Sequence, residues 1–120
     1  MHTIIPGMVV KDAKTVMPFG VMGGQYQAFG HMYFLTNLFE HGLGLQEAMD
    51  LPRLFPALDG PVEIESGMPA DTIAGLEAMG HKTAATAKPI GGAQAILIDW
   101  DEGVLTGASE PRKDGQALGY

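Results

Sequence analysis

Strand–turn–strand units stand near both ends of the chain, and the patterns between them are helical. Met8-Val9-Val10, the polar Lys11-Asp12-Ala13-Lys14 and Thr15-Val16-Met17 make the first unit. Ala95-Ile96-Leu97-Ile98-Asp99 and Gly103-Val104-Leu105-Thr106-Gly107 flank the acidic turn Trp100-Asp101-Glu102 and make the second. Apolar runs broken by turn residues read as hairpins, and these two belong to one or two sheets. From Gln25 to His41 the apolar residues Ala28, Met32, Leu35 and Phe39 recur at steps of three and four, which predicts one stripe of a helix. Gly42 suits its C-terminal cap. A short helix over Leu45–Asp50 ends before Leu51-Pro52, and a third runs from Pro69-Ala70-Asp71 to Gly80 with Ile73, Leu76 and Met79 on it. Val62-Glu63-Ile64-Glu65 alternates as a half-buried strand should. This order lacks the regular alternation of a doubly wound parallel sheet. It predicts an α+β fold over residues 1–120 as a single domain, with antiparallel strands packed on helices.

Composition removes several functions. A net charge of −7 leaves no basic stripe to neutralise phosphates, which argues against nucleic-acid binding and against docking on anionic lipid. With no cysteine, disulfides, zinc–thiolate sites and cysteine nucleophiles are excluded. No apolar stretch approaches the roughly 20 residues needed to span a bilayer. Residues 1–20 hold no basic segment followed by an apolar core, so no secretion signal is read there. Both a cytoplasmic and a periplasmic location stay open.

The 17 glycines fall as punctuation between elements. The most informative group is Pro18-Phe19-Gly20-Val21-Met22-Gly23-Gly24-Gln25, which ends an apolar strand and opens the longest helix. N–H groups at a helix start lack intrahelical acceptors and carry partial positive charge. Glycines there let such groups face a shared cavity and stabilise a developing oxyanion. The same spacing serves a plain, close-packed strand-to-helix turn, and spacing alone leaves both readings open. His2 and Thr3 offer an imidazole and a hydroxyl that could hold a substrate carboxylate or amine, or serve as surface or capping groups. His31, His41 and His81 form no metal set, because no pair is spaced i, i+4 and no carboxylate completes a site. Glu63 with Glu65, and Asp99 with Asp101 and Glu102, are expected to be solvated carboxylates. Gly91-Gly92 before Ala93-Gln94 suits a backbone nest or a turn into a buried strand. No G-x-S-x-G elbow, phosphate loop or zinc motif is present, and no spacing pairs a nucleophile with a base.

Taken in order, these segments carry a resemblance. They are His2-Thr3-Ile4-Ile5-Pro6-Gly7-Met8, Val21-Met22-Gly23-Gly24-Gln25, Ala48-Met49-Asp50-Leu51-Pro52-Arg53, Val62-Glu63-Ile64-Glu65-Ser66-Gly67, Gly91-Gly92-Ala93-Gln94-Ala95-Ile96 and Gly107-Ala108-Ser109-Glu110-Pro111-Arg112-Lys113-Asp114-Gly115. With the closing Gly119-Tyr120 they resemble the end of the γ-glutamyltransferases, over essentially the whole chain. The resemblance implies part of an N-terminal-nucleophile hydrolase, an αββα sandwich made when a proenzyme cuts itself into large and small subunits. It implies a zymogen of glutathione metabolism whose newly exposed N-terminal threonine is nucleophile and base. That threonine is expected upstream of this chain, which then reads as a C-terminal fragment of the small subunit, inactive by itself.

Residue by residue, the resemblance implies that Gly23 and Gly24 form the oxyanion hole. It puts His2 and Thr3 where typical members carry two serines that hold the γ-glutamyl α-carboxylate. Thr3 keeps a hydroxyl, whereas His2 departs and is similar to the γ-glutamyltransferase-like and cephalosporin acylase branch. Neither a cofactor nor a metal is implied. The implied partners are the upstream remainder of the proenzyme, namely the large subunit and the start of the small one, and a γ-glutamyl or related acyl substrate. Alone, the chain is expected to expose apolar surface and form a homo-oligomer. The alternative is a non-catalytic remnant that acts as a binding or oligomerisation module.

Overall fold

The computed structural model describes residues 3–120. It divides into two compact units, the first holding the described residues up to Asp50 together with Gly91–Tyr120, the second Leu51–Ile90.

The first unit is built on a four-stranded antiparallel sheet. Its strands are β1 (Gly7–Lys11), β2 (Lys14–Met22), β6 (Gly92–Asp99) and β7 (Val104–Ser109), in the order β1-β2-β6-β7. Both expected hairpins therefore share one sheet. Lys11 pairs with Lys14 across a two-residue turn in which Asp12 and Ala13 have φ of 51° and 61°. Paired left-handed residues of this kind match the twist of the strands they join. In the second hairpin, one Asp99 carboxylate oxygen accepts the N–H groups of Asp101 (2.9 Å) and Glu102 (3.0 Å) and shapes the loop.

Alternation sorts the sheet into two faces. Met17, Phe19, Val21, Ala93, Ala95 and Ala108 are buried on one, under helices α1 (Tyr26–Phe39) and α2 (Leu45–Asp50). Met8, Ile96 and Leu105, 60%, 44% and 66% exposed, lie on the other.

The buried side of α1 differs from the expected stripe. Tyr26, Gln27, Gly30, Phe34 and Asn37 face inward, whereas Met32 and Phe39 are about half exposed. The helix is apolar nearly all round, so periodicity could not select a face. Close approach to β2 did: a Cβ on Gly30 would come within 2.6 Å of the Val21 side chain.

The second unit holds β3 (Leu54–Pro56), β4 (Val62–Ile64), α3 (Ala70–Ala78) and β5 (Thr83–Ala85). Its sheet runs β3-β4-β5; β4 is antiparallel to β3 and parallel to β5, with α3 in the crossover. Neither β3 nor β5 is marked by the sequence pattern. β3 ends in proline and β5 is Thr-Ala-Ala, so both lack the β-branched alternation that marks a strand. The expectation of a solvated Glu65 is corrected here. Glu63 is exposed, but Glu65 follows the end of β4, escapes its alternation and is buried. Its two carboxylate oxygens accept the N–H of Arg53 (2.9 Å) and of Ile90 (2.7 Å), and Arg53 Nη1 donates to the Ile90 carbonyl at 2.9 Å. One carboxylate thus ties both ends of this unit together.

Candidate functional site

Antiparallel pairing brings four separated segments to one end of the four-stranded sheet. Gly7 at the start of β1 pairs with Phe19, and Met22 at the end of β2 pairs with Gly92 at the start of β6. Ser109 at the end of β7 pairs with Gln94. The Thr3 segment before β1, the Gly23-Gly24 turn after β2, Gly91 before β6 and the Glu110–Asp114 tail after β7 therefore leave the sheet at the same end. Thr3 is exposed in irregular chain. His2 lies outside the described residues.

The Gly23-Gly24 turn needs its glycines for two different reasons. Gly23 has φ of 138°, and a Cβ there would lie 2.9 Å from the Gly91 Cα. Gly24 has φ of 60° with nothing within 4 Å of a Cβ built on it, so its constraint is conformational and the space above it is open. The Gly23 carbonyl accepts the Tyr26 N–H (3.1 Å), and the Gly24 carbonyl accepts those of Gln27 (3.2 Å) and its side-chain amide (3.1 Å). Both carbonyls face the helix start. In a trans peptide N–H opposes C=O, so the Gly24 and Gln25 N–H groups point away from the helix. The Met22 carbonyl faces Gly91, where an added Cβ would meet it at 2.7 Å, and the Gly23 N–H is turned from that wall. Donors at a helix start that meet no acceptor among the described residues can stabilise an anion.

Two side chains finish the sheet where its outer strands stop. The N–H of Val21 donates to His31 Nε2 at 3.1 Å, and the His31 ring lies 4.9 Å from that of Phe19. Burial lowers the His31 pKa below its ordinary 6.5. The N–H of Ala93 donates to Glu110 Oε2 at 2.8 Å. Glu110 is fully buried, and its Oε1 accepts Arg112 Nη1 (2.8 Å) and the Arg112 N–H (3.2 Å). Arg112 also donates to the carbonyls of Met49 (2.9 Å) and Asp50 (3.3 Å). The run from Ser109 to Gly115 carries the family resemblance, but no spacing in it reveals that the tail returns to β6, so neither Glu110 nor Arg112 has a task legible in sequence.

Beside this end, a cleft of about 490 Å³ runs along the exposed sheet face between Pro18, Gly20, Gln94, Ile96 and the tail residue Leu118. Among the described residues no three His, Asp or Glu side chains gather as a metal site. His31 is satisfied by Val21, and Asp99, Asp101 and Glu102 are exposed on their loop, as expected.

The sequence model described as gamma-glutamyltranspeptidase matches residues 1–120. The chain is 29% identical over 119 residues to the glutathione hydrolase proenzyme of Bacillus subtilis (strain 168), covering 99% of this chain and 20% of the relative. It is 34% identical over 122 residues to the glutathione hydrolase proenzyme of Escherichia coli (strain K12), covering 100% of this chain and 21% of the relative. Among solved structures, the cephalosporin acylase from Bacillus halodurans is 40% identical with a TM-score of 0.89, covering 99% of this chain and 23% of that one. The chain thus spans about a fifth of the length of the curated relatives it matches.

Proposed function

Because the chain belongs to the γ-glutamyltranspeptidase family and carries part of an N-terminal-nucleophile hydrolase fold, we propose that it is the C-terminal part of the small subunit of an acyl hydrolase or transferase. In this reading Gly23 and Gly24 supply the oxyanion hole. The observation that carries the reading is the turn itself, with carbonyls spent on the helix start and donors directed away from it. The nucleophile is an N-terminal threonine contributed from outside these residues. Its Oγ bonds to the acyl carbonyl carbon while its α-amine takes the hydroxyl proton. The carbonyl π electrons move to oxygen, and the N–H groups of the turn stabilise that charge. Collapse breaks the C–N bond, and the leaving amine departs with the proton held by the α-amine. Water or an amino acid then attacks the ester and releases the acyl group and the threonine.

In this reading the Thr3 hydroxyl, exposed at the same sheet end, holds the carboxylate of the acyl group, with His2 beside it in sequence. An imidazole in place of a hydroxyl alters the set of donors there, so the acyl group is γ-glutamyl or a related acyl chain. The isolated chain is expected to be inactive. The partner is the upstream remainder of the proenzyme, which covers the exposed face bearing Met8, Ile96 and Leu105. That same apolar face favours a second reading, a non-catalytic remnant that binds or oligomerises through it.

One experiment separates the two. The chain is assayed on γ-glutamyl-p-nitroanilide and glutaryl-p-nitroanilide, alone and with the matching upstream polypeptide. Activity only in the complemented assembly supports a split acyl-transfer site, and the preferred acyl group reports on His2. In the same assembly Gly24→Val forces a β-branched residue to φ near 60° and moves the donor. Turnover should fall by about 100-fold or more. Unchanged turnover would overturn the oxyanion role, and no activity in any arm favours the remnant.

A further inference from the structure

We propose that Glu110 is a positioning residue for the oxyanion turn, acting through the N–H of Ala93; this rests on the oxyanion reading above. Glu110 is 0% exposed, and a carboxylate is tolerated at such depth only when its oxygens are fully engaged. The engagement is divided. Oε2 takes the Ala93 N–H at 2.8 Å, while Oε1 takes the Arg112 guanidinium at 2.8 Å and its N–H at 3.2 Å. Arg112 is itself held by the Met49 and Asp50 carbonyls at the end of α2. The carboxylate therefore fixes the start of β6 to the end of α2, where β7 has stopped and can no longer supply an acceptor.

The start of β6 is also the wall behind the turn. Ala93 pairs with Val21 and Gly92 with Met22. Gly91, with φ of 64°, leaves no room for a Cβ against the Met22 carbonyl, and Gly23 leaves none against Gly91. A shift of Ala93 by a few tenths of an ångström passes through these contacts to the Met22–Gly24 peptides. Those peptides carry the donors, so Glu110 governs their aim without touching substrate. A second link, from Gln46 to the N–H and carbonyl of Ser109 (3.1 Å each), anchors the last residue of β7 to α2 without passing through the Ala93 N–H. It separates positioning from simple anchoring.

The test uses the complemented assembly, with kcat counted per active site titrated by a covalent acyl-site inhibitor. Glu110→Gln keeps the shape but leaves one acceptor oxygen for three donors. The expected result is a fall in kcat of about 10- to 100-fold with KM within about twofold, because misplacing a catalytic group by a fraction of an ångström weakens only the transition state. Gln46→Leu should lower the melting temperature and leave kcat per titrated site unchanged. If Glu110→Gln yields too few titratable sites, Glu110→Leu combined with Arg112→Met, which strands no guanidinium and leaves the Ala93 N–H without its side-chain acceptor, replaces it with the same expected loss. A kcat within twofold of wild type, or a loss in KM alone, overturns the proposal provided Gly24→Val still abolishes turnover. If Gly24→Val is also silent, the oxyanion reading fails and this inference with it.

Discussion

At Val21 the backbone has run past the end of β1, and the imidazole of His31 takes the N–H that a neighbouring strand otherwise would. Only the neutral ring can do so, since Nε2 must be unprotonated to accept. Burial lowers the folded-state pKa below 6.5, the value the unfolded chain approaches. As pH falls below 6.5 the unfolded state binds the proton first, so stability contributed by neutral His31 is full above that value and declines beneath it. A series of melting temperatures from pH 8 to 5 checks this against His31→Gln, which can accept but does not titrate. Wild type should lose more than the variant through the acid range; parallel curves would sink the idea. Glu110 performs the corresponding service for Ala93 on the opposite edge. Glu65 repeats the device in the second unit, between Arg53 and Ile90. None of the three roles is visible in spacing, because each links residues 10 to 25 apart in sequence that meet only once strands have paired.

Elements were legible where local chemistry is loud. Both hairpins, the three helices and β4 announce themselves through turn residues, helix stops and alternation. β3 and β5 lack those signals and form because β4 offers them hydrogen bonds on both edges. Helix α1 shows the same divide at finer grain: its existence follows from sequence, and its buried face does not. Gly30 sits where α1 presses on Val21 and Tyr26, with 2.6 Å from an imagined Cβ to each. Gly30→Ala should therefore destabilise by roughly 1–3 kcal/mol from overpacking. The intrinsic helix gain of about 1 kcal/mol does not offset it fully. Denaturant titration measures the difference, and a variant more stable than wild type would contradict the close contact.

For the whole molecule, the helices packed on the four-stranded sheet among the described residues lie on one face. The other shows Met8, Ile96 and Leu105 to solvent, and α1 adds Met32 and Phe39. Exposed apolar side chains gathered on one sheet face favour association. Light scattering on the isolated chain at micromolar concentration should find a dimer or larger species. Ile96→Lys with Leu105→Lys, two charges on that face, should shift it toward monomer. A wild-type chain that stays monomeric would mean the face is tolerated in water.

The sequence by itself determined the fold class, the family and the glycine turn. These depend on local conformational preference and on motifs that survive in order along the chain. The tertiary structure alone decided that the Thr3 segment, the glycine turn, Gly91 and the Glu110 tail share one end of a sheet. It alone buried Glu65 and Glu110. A carboxylate on a polar motif looks solvated until the chain returns to enclose it. Its environment is set by strand pairing between distant residues, which no local pattern encodes.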